Sequence, residues 1–352
     1  MNPNFFTRRN FVKSVGVASS GIAAGLGTFS LHSCTTPPLV NKRDAVLSLL
    51  TSTQIQEYIP AGFFIHFGKG YQWGDAAVNR HLEYFKAIDM DFVKIQYEAL
   101  FPKLDSMKKP EDWVNMPFYK KEFYETQLYV VKELVKQGKQ LAPVIATLYS
   151  PFMCAGHTAT SQLLTVHMKQ DPDLVMKGME IITESVMIFA KECIKLGVDG
   201  FLASTQGGEG FRFQDPDIFR KYVKPCDMVI MNEINQTCDC NVLHICDYEG
   251  GYDDLSPFLD YPGHIVNCSL KLGDKALSAK DVYHMFGRPF MGGVEKGGPI
   301  ATGSSLQVID DVERVLKQAP ERFILGAECA LLGDIKWENV RIAVDTAHQF
   351  IG

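Results

Sequence analysis

The chain has 352 residues, 46% of them apolar, which is enough to bury one large α/β core or two small ones without disulfides. Its formal charge is −6; residues 1–33 hold Arg8, Arg9 and Lys13 and no acid, so the remainder carries −9. An acidic body without a basic stripe argues against a nucleic-acid partner, and no internal run is long and apolar enough to span a bilayer.

The N-terminus reads as a targeting signal. Thr7-Arg8-Arg9-Asn10-Phe11-Val12-Lys13 has the form of a twin-arginine export motif, and a weakly apolar segment follows from Val15 to Leu31. Leu31-His32-Ser33-Cys34 then has the form of a lipobox, so a lipid on Cys34 would anchor the exported chain at the cell envelope or periplasmic face. Thr35-Thr36-Pro37-Pro38 is a short tether. The expected partition is a signal over 1–33, a tether and leading helix over 34–58, and one domain over 59–352.

From Lys42 to Tyr58 the spacing of Val46, Leu49, Leu50 and Ile55 predicts a helix. Eight apolar runs follow: Gly62–Phe67, Phe92–Tyr97, Leu141–Leu148, Gly200–Ser204, Val242–Cys246, Ile265–Cys268, Phe290–Val294 and Phe323–Ala327. Between them lie helical stretches, among them Ala76–Ile88, Lys120–Gln137, Asp173–Leu196, Asp215–Tyr222, Ala279–Phe286 and Leu306–Gln318, with Trp337–Phe350 closing the chain. Continuous apolar strands alternating with helices predict a parallel sheet covered on both faces. Eight such units predict a single-domain (β/α)₈ TIM barrel, whose functional groups gather at the C-terminal ends of the strands. An open doubly wound sheet is the alternative, but Phe67-Gly68-Lys69-Gly70 does not match its glycine fingerprint.

The polar residues fall where a barrel needs them. His66 ends the first strand, Tyr97 the second, Ser150 follows the third, and Gln206 and Glu209 follow the fourth. The fifth run ends in His244-Ile245-Cys246-Asp247. Residues two apart on a strand face one side, so His244 and Cys246 project together. Imidazole and thiolate are ligands zinc favours, and Cys329, just past the eighth run, supplies a third. Three protein ligands leave zinc one open position, as in catalytic sites. Cys154, Cys193, Cys226, Cys238, Cys240 and Cys268 show no small-disulfide framework and read mostly as buried thiols. Cys238 and Cys240, just before the fifth strand, are rival ligands or a redox pair. His157 and His167 read as surface residues of a helical stretch.

Ile65-His66-Phe67, Met90–Tyr97, Ser150-Pro151-Phe152-Met153, Thr205–Glu209, His244–Tyr248 and Leu325–Cys329 together carry a resemblance. From about Ile59 onward the chain resembles the uroporphyrinogen decarboxylase superfamily. The resemblance implies a (β/α)₈ barrel and two functional branches. One decarboxylates the acetate arms of a porphyrinogen; the other moves methyl groups between a corrinoid and a thiol, on zinc held by His-x-Cys and a distant Cys. The decarboxylase has an early arginine pair for the substrate carboxylates, where this chain reads His66-Phe67-Gly68-Lys69-Gly70-Tyr71. The methyltransferase pattern matches at His244, Cys246 and Cys329.

That branch implies zinc, a corrinoid (cobalamin) as methyl carrier, a small-molecule thiol, and a corrinoid protein as partner. His66, Tyr97, Gln206 and Glu209 are then candidates for lining the pocket or filling the fourth position. Ser150 is a further substrate-binding candidate, and Asp247 is a group that orients a ligand. The plain alternatives are a core histidine at 66, a solvated loop acid at 209 and a simple turn at Ser150-Pro151. The alternative functions are an exported barrel that binds a corrinoid or tetrapyrrole without methyl transfer, a decarboxylase-like lyase, and a hydrolase in which zinc activates water.

Overall fold

A computed structural model describes residues 40–51 and 56–350. The arginine motif, the Cys34 lipobox, the tether and part of the expected leading helix lie outside the described residues. Eight parallel strands form one curled sheet: Ala61–Gly62, Val93–Ile95, Val144–Tyr149, Gly200–Thr205, Val242–Ile245, Ile265–Cys268, Phe290–Val294 and Phe323–Ala327. They pair in chain order from the second to the eighth, and the eighth pairs with the first. The seam between first and second strands is closed by one residue. The Asp91 amide donates to the Ala61 carbonyl at 2.8 Å, and the Ala61 amide donates to the Asp91 carboxylate at 2.8 Å. The result is the TIM barrel, with helices around it.

Four strands, the first, second, third and fifth, are shorter than their apolar runs. In the first, regular pairing stops at Gly62, and side chains take over the ladder's role: Tyr84 donates to the Phe63 carbonyl and Gln96 accepts the Phe67 amide. The third begins at Val144, because Leu141 is an exposed turn residue bonded back to Gly138.

The helix expected over Asp215–Tyr222 continues past it. A single π turn, Phe219–Val223, leads into Lys224–Thr237, with Pro225 in the first turn where its missing N–H costs no bond. Pro151–Ala159 and Ser161–Gln170 are also helices, each opened by a side-chain cap from Ser150 or Thr160. His167 is therefore buried, accepting the Trp113 indole N–H at 3.0 Å, rather than at the surface. A two-stranded hairpin, Lys271–Leu272 with Lys275–Ala276, stands outside the barrel.

Alternation divides the apolar side chains into two cores. One packs the helices on the outside of the sheet. The other fills the barrel with Phe64, Phe92, Ile145, Leu202, Ile265 and Ile324, and Val46 and Leu49 of the leading helix, Lys42–Thr51, close it underneath. Arg43 holds that helix through paired bonds of 2.7 and 2.6 Å to Asp199, and Arg322 holds its end through the Leu49 and Leu50 carbonyls. The compact unit thus starts at Val40, and the helix is the barrel's floor plate.

Candidate metal centre

On the fifth strand, His244 pairs in register with Ser204 and Asn267 of its neighbours. Its imidazole and the Cys246 thiol point into the barrel mouth, as the two-residue period requires. Cys329 reaches them from a bend two residues beyond the eighth strand. Cys329 Sγ lies 3.6 Å from His244 Nε2 and 4.0 Å from Cys246 Sγ, and the three donor atoms all fall within 4.8 Å of one another. The sulfurs are far beyond disulfide length, so both thiols are free.

These spacings can be set against a metal. With Zn–S near 2.3 Å and Zn–N near 2.0–2.1 Å, tetrahedral geometry separates two sulfurs by about 3.8 Å and sulfur from nitrogen by about 3.6 Å. The donors therefore stand close to a zinc set before any adjustment.

The site is also poised electrostatically. A hydrogen bond from Cys246 lowers the Cys329 thiol, assisted by His244 and the Lys296 ammonium, while the same bond and burial push Cys246 up. The two thiols are thus pushed in opposite directions, Cys329 toward the thiolate and Cys246 toward the thiol. Cys246 is fixed by its amide to the Thr205 carbonyl at 3.1 Å and by Tyr252 Oη donating to its carbonyl at 3.0 Å. Gln206 Nε2 points at its sulfur, 3.7 Å away. His244 Nδ1 is buried with no partner among the described residues, so packing and Cys329 orient the ring.

A cavity of about 540 Å³ opens over this centre. Phe64, Leu202 and Met291 line its depth, and Tyr248 and Leu332 stand exposed at its rim. Of the candidate residues, His66 and Gln206 line it with the three ligands; Tyr97, Ser150, Glu209 and Asp247 do not. Parity explains Tyr97: Lys94 shares the inner face, so residue 97 faces outward, packed on Tyr149 and Phe189. Ser150 caps the following helix by accepting the Met153 amide. Both Glu209 oxygens are taken by the buried Arg212, at 2.5 and 2.9 Å, and Arg212 also binds Ser161 and Thr165. Glu209 is thus a latch between a loop and a helix. Asp247 pairs with Lys296 Nζ at 3.0 Å, holding that cation at the cavity wall near Cys329.

Cys240 belongs to the sealed end of the same strand, packed with Val46 and Val242, which sets it apart from the rival-ligand reading. His157, half-buried, stacks on Tyr149 and lines the cavity. Lys94 is the residue that sequence reasoning missed. It sits inside the barrel among apolar neighbours, and burial lowers its ammonium to about 8. That cation lowers the nearby imidazole of His66, a residue that remains solvent-exposed at the cavity. The signal was a lone charge in the apolar run Phe92-Val93-Lys94-Ile95.

Comparison with known proteins matches a family model described as uroporphyrinogen decarboxylase (URO-D) to residues 86–350. Uroporphyrinogen decarboxylase of Aquifex aeolicus (strain VF5) is 23% identical, over 73% of this chain and 74% of that protein. A methyltransferase from Methanosarcina mazei superposes with a TM-score of 0.67 at 15% identity, covering 87% of this chain and 98% of that one. A B12-independent methionine synthase from Shewanella sp. W3-18-1, in complex with selenomethionine, superposes at 0.54 with 13% identity, covering 83% and 97%. At such identities these two structures establish the barrel alone.

Proposed function

Because the chain belongs to the uroporphyrinogen decarboxylase family, we propose that it is a zinc-dependent methyltransferase of that family, moving a methyl group between a corrinoid and a small thiol. The observation that carries this reading is the meeting of His244, Cys246 and Cys329 at 3.6 and 4.0 Å on the wall of the cavity. These residues would hold zinc, with the fourth position facing the cavity. When bound, zinc supplies Lewis acidity, lowering the pKa of a thiol that reaches its open position. Two cysteinate ligands would bring the centre near neutral in charge, and Lys296, paired with Asp247, stands beside Cys329. Gln206 steadies Cys246.

The cavity has the size of a small-molecule site. A corrinoid, free or carried by a partner protein, would therefore present its face at the rim, against Tyr248 and Leu332, while the thiol occupies the interior. A second reading, a decarboxylase-like lyase, draws on the 23% identical relative. It lacks the arginine pair after the first strand and finds two lysines, Lys94 and Lys296, among the cavity-lining residues. We add to the proposal the export of the folded chain through residues 1–33 and anchoring through Cys34.

The test is thiol-dependent demethylation of methylcobalamin by zinc-loaded protein. Activity that depends on both thiol and zinc supports methyl transfer. Zinc-loaded protein that leaves methylcobalamin intact with every thiol tried contradicts it.

A further inference from the structure

Cys246 and Cys329 lie at the ends of the fifth and eighth strands, and the sixth and seventh stand between them. The last register pairs of those strands are Ile245 with Cys268 and Ala327 with Val294, so both cysteines fall just past the ladder. The gap between their sulfurs is therefore set beyond it. Each cysteine has an acid beside it in sequence: Asp247 follows Cys246, and Glu328 precedes Cys329. Both acids turn to one residue in the turn after the seventh strand. Lys296 Nζ donates to Asp247 Oδ1 at 3.0 Å, and the Lys296 amide donates to both Glu328 carboxylate oxygens at 3.0 Å. That turn is itself closed, by the Gly298 amide on the Glu295 carbonyl at 2.9 Å. Further into the barrel, Asn267 Nδ2 donates to the Met291 and Ala327 carbonyls at 2.8 and 3.0 Å, tying the sixth, seventh and eighth strands where the ladder between sixth and seventh stops. The Lys296 side chain is 36% exposed, so the ion pair by itself adds little stability. What sets it apart is its place, joining the neighbours of two metal-capable sulfurs that no adjacent strands share.

We propose that Lys296 is a positioning residue for both cysteines: its ammonium holds Cys246 through Asp247, its amide holds Cys329 through Glu328, and the two arms keep the sulfurs at a metal's spacing rather than a disulfide's. The sulfurs stand 4.0 Å apart. A disulfide needs about 2.05 Å, so they must approach by about 2 Å to join. A backbone fixed beside both cysteines resists that approach and presents the sulfurs ready for a metal, as partners outside the ligand shell do when they raise metal affinity. The sign of the effect separates positioning from charge. Removing a cation beside a metal site strengthens metal binding by Coulomb's law, whereas removing a spacer weakens it. This role deepens the proposed metal site and rests on that reading for what the spacing serves; the spacing itself can be read on the thiols alone.

The experiment uses the full chain, metal-free, with cobalt(II) and oxidised glutathione as separate probes. Thiolate-to-cobalt absorption gives metal affinity. With oxidised glutathione, one cysteine sulfur displaces one glutathione thiol to form a mixed disulfide, and the other cysteine displaces the second, leaving a Cys246–Cys329 disulfide and two glutathione thiols; mass spectrometry follows the rate. Lys296→Met should bind cobalt about 10-fold to 100-fold more weakly than the parent and should close the disulfide faster. Glu328→Ala, which cuts the other arm, should shift both readings the same way, and Lys296→Arg should restore most of both. Asp247→Asn added to Lys296→Met should cause no further loss, since both cut one arm. Arg43→Ala, on the barrel floor, should melt earlier yet keep the parent's cobalt affinity and closing rate. Cobalt bound as tightly or more tightly by Lys296→Met, or the same losses in Arg43→Ala, would overturn the positioning role. Failure of the metal reading looks different: the parent gives no cobalt band, while the disulfide still closes faster in Lys296→Met. Equal closing rates in that case would overturn the positioning role as well.

Discussion

The fifth strand carries a cysteine just beyond each end, and the two lead opposite lives. Cys240, at the closed end, is packed under Val46 of the leading helix, and burial pushes its thiol up to about 12. Cys246, at the open end, lies 4.0 Å from the Cys329 sulfur, beside an imidazole. The same contrast runs round the barrel. At the bottom the charged groups are matched: Arg43 with Asp199, Lys42 with Asp89, and Asp91 with Tyr58 and His348. At the top the Thr147 hydroxyl and His244 Nδ1 are buried without partners among the described residues. The paired groups hold the fold; buried polar atoms without partners also occur away from the cavity, at Tyr97, Asn235 and Arg288, so it is an unpaired atom lining the cavity that marks the site.

The widest separation between the two ends should come from the cysteines. Cys246→Ala or Cys329→Ala should lose zinc by more than about 100-fold in affinity, beyond what removing a secondary partner does. Cys240→Ala should keep full zinc and cost about 1 kcal/mol of stability through lost packing. Elemental analysis with thermal melts separates these outcomes; zinc retained in Cys246→Ala would break the comparison.

Asp227 sharpens it, because it lies near the open end yet outside the cavity. It accepts hydrogen bonds from Thr205 and Tyr261, and burial raises its carboxyl to about 7 despite them. A carboxyl raised in the folded state contributes stability that is fully present below its unfolded pKa near 4 and is lost as pH rises through about 7. Stability should therefore fall across that window by on the order of 2–4 kcal/mol, and Asp227→Asn should flatten the curve. Melting the two proteins side by side between pH 4 and 8 is the check, and parallel curves would reject it.

The third effect is smaller and confined to the floor. Arg43→Ala breaks a half-buried pair and leaves Asp199 with its Val144 amide and a longer contact to Lys139. It should cost about 2 kcal/mol, with zinc content unchanged.

Much of the barrel was legible because its strands are apolar on both faces and its helices periodic. Val242–Ile245 is almost the run read from sequence, and His244 and Cys246 follow from its two-residue period. Cys329 was legible as a sulfur placed just past a strand. What was hidden depended on partners distant in sequence or on parity. Glu209 read as a cavity acid until Arg212 claimed both its oxygens, and Tyr97 read as a strand-end residue although it falls on the outer face. Lys94 looked like one charge in an apolar run; only barrel closure puts that charge inside. The floor helix read as a leading segment, because the contacts that give it purpose come from Asp199 and Arg322.

The central claim is best tested by X-ray absorption at the zinc edge of the protein as purified. One zinc per chain should show two sulfur neighbours at about 2.3 Å and nitrogen or oxygen at about 2.0–2.1 Å, with one sulfur fewer in Cys329→Ala. A shell of oxygen and nitrogen alone, or a sulfur count unchanged by that substitution, would contradict it.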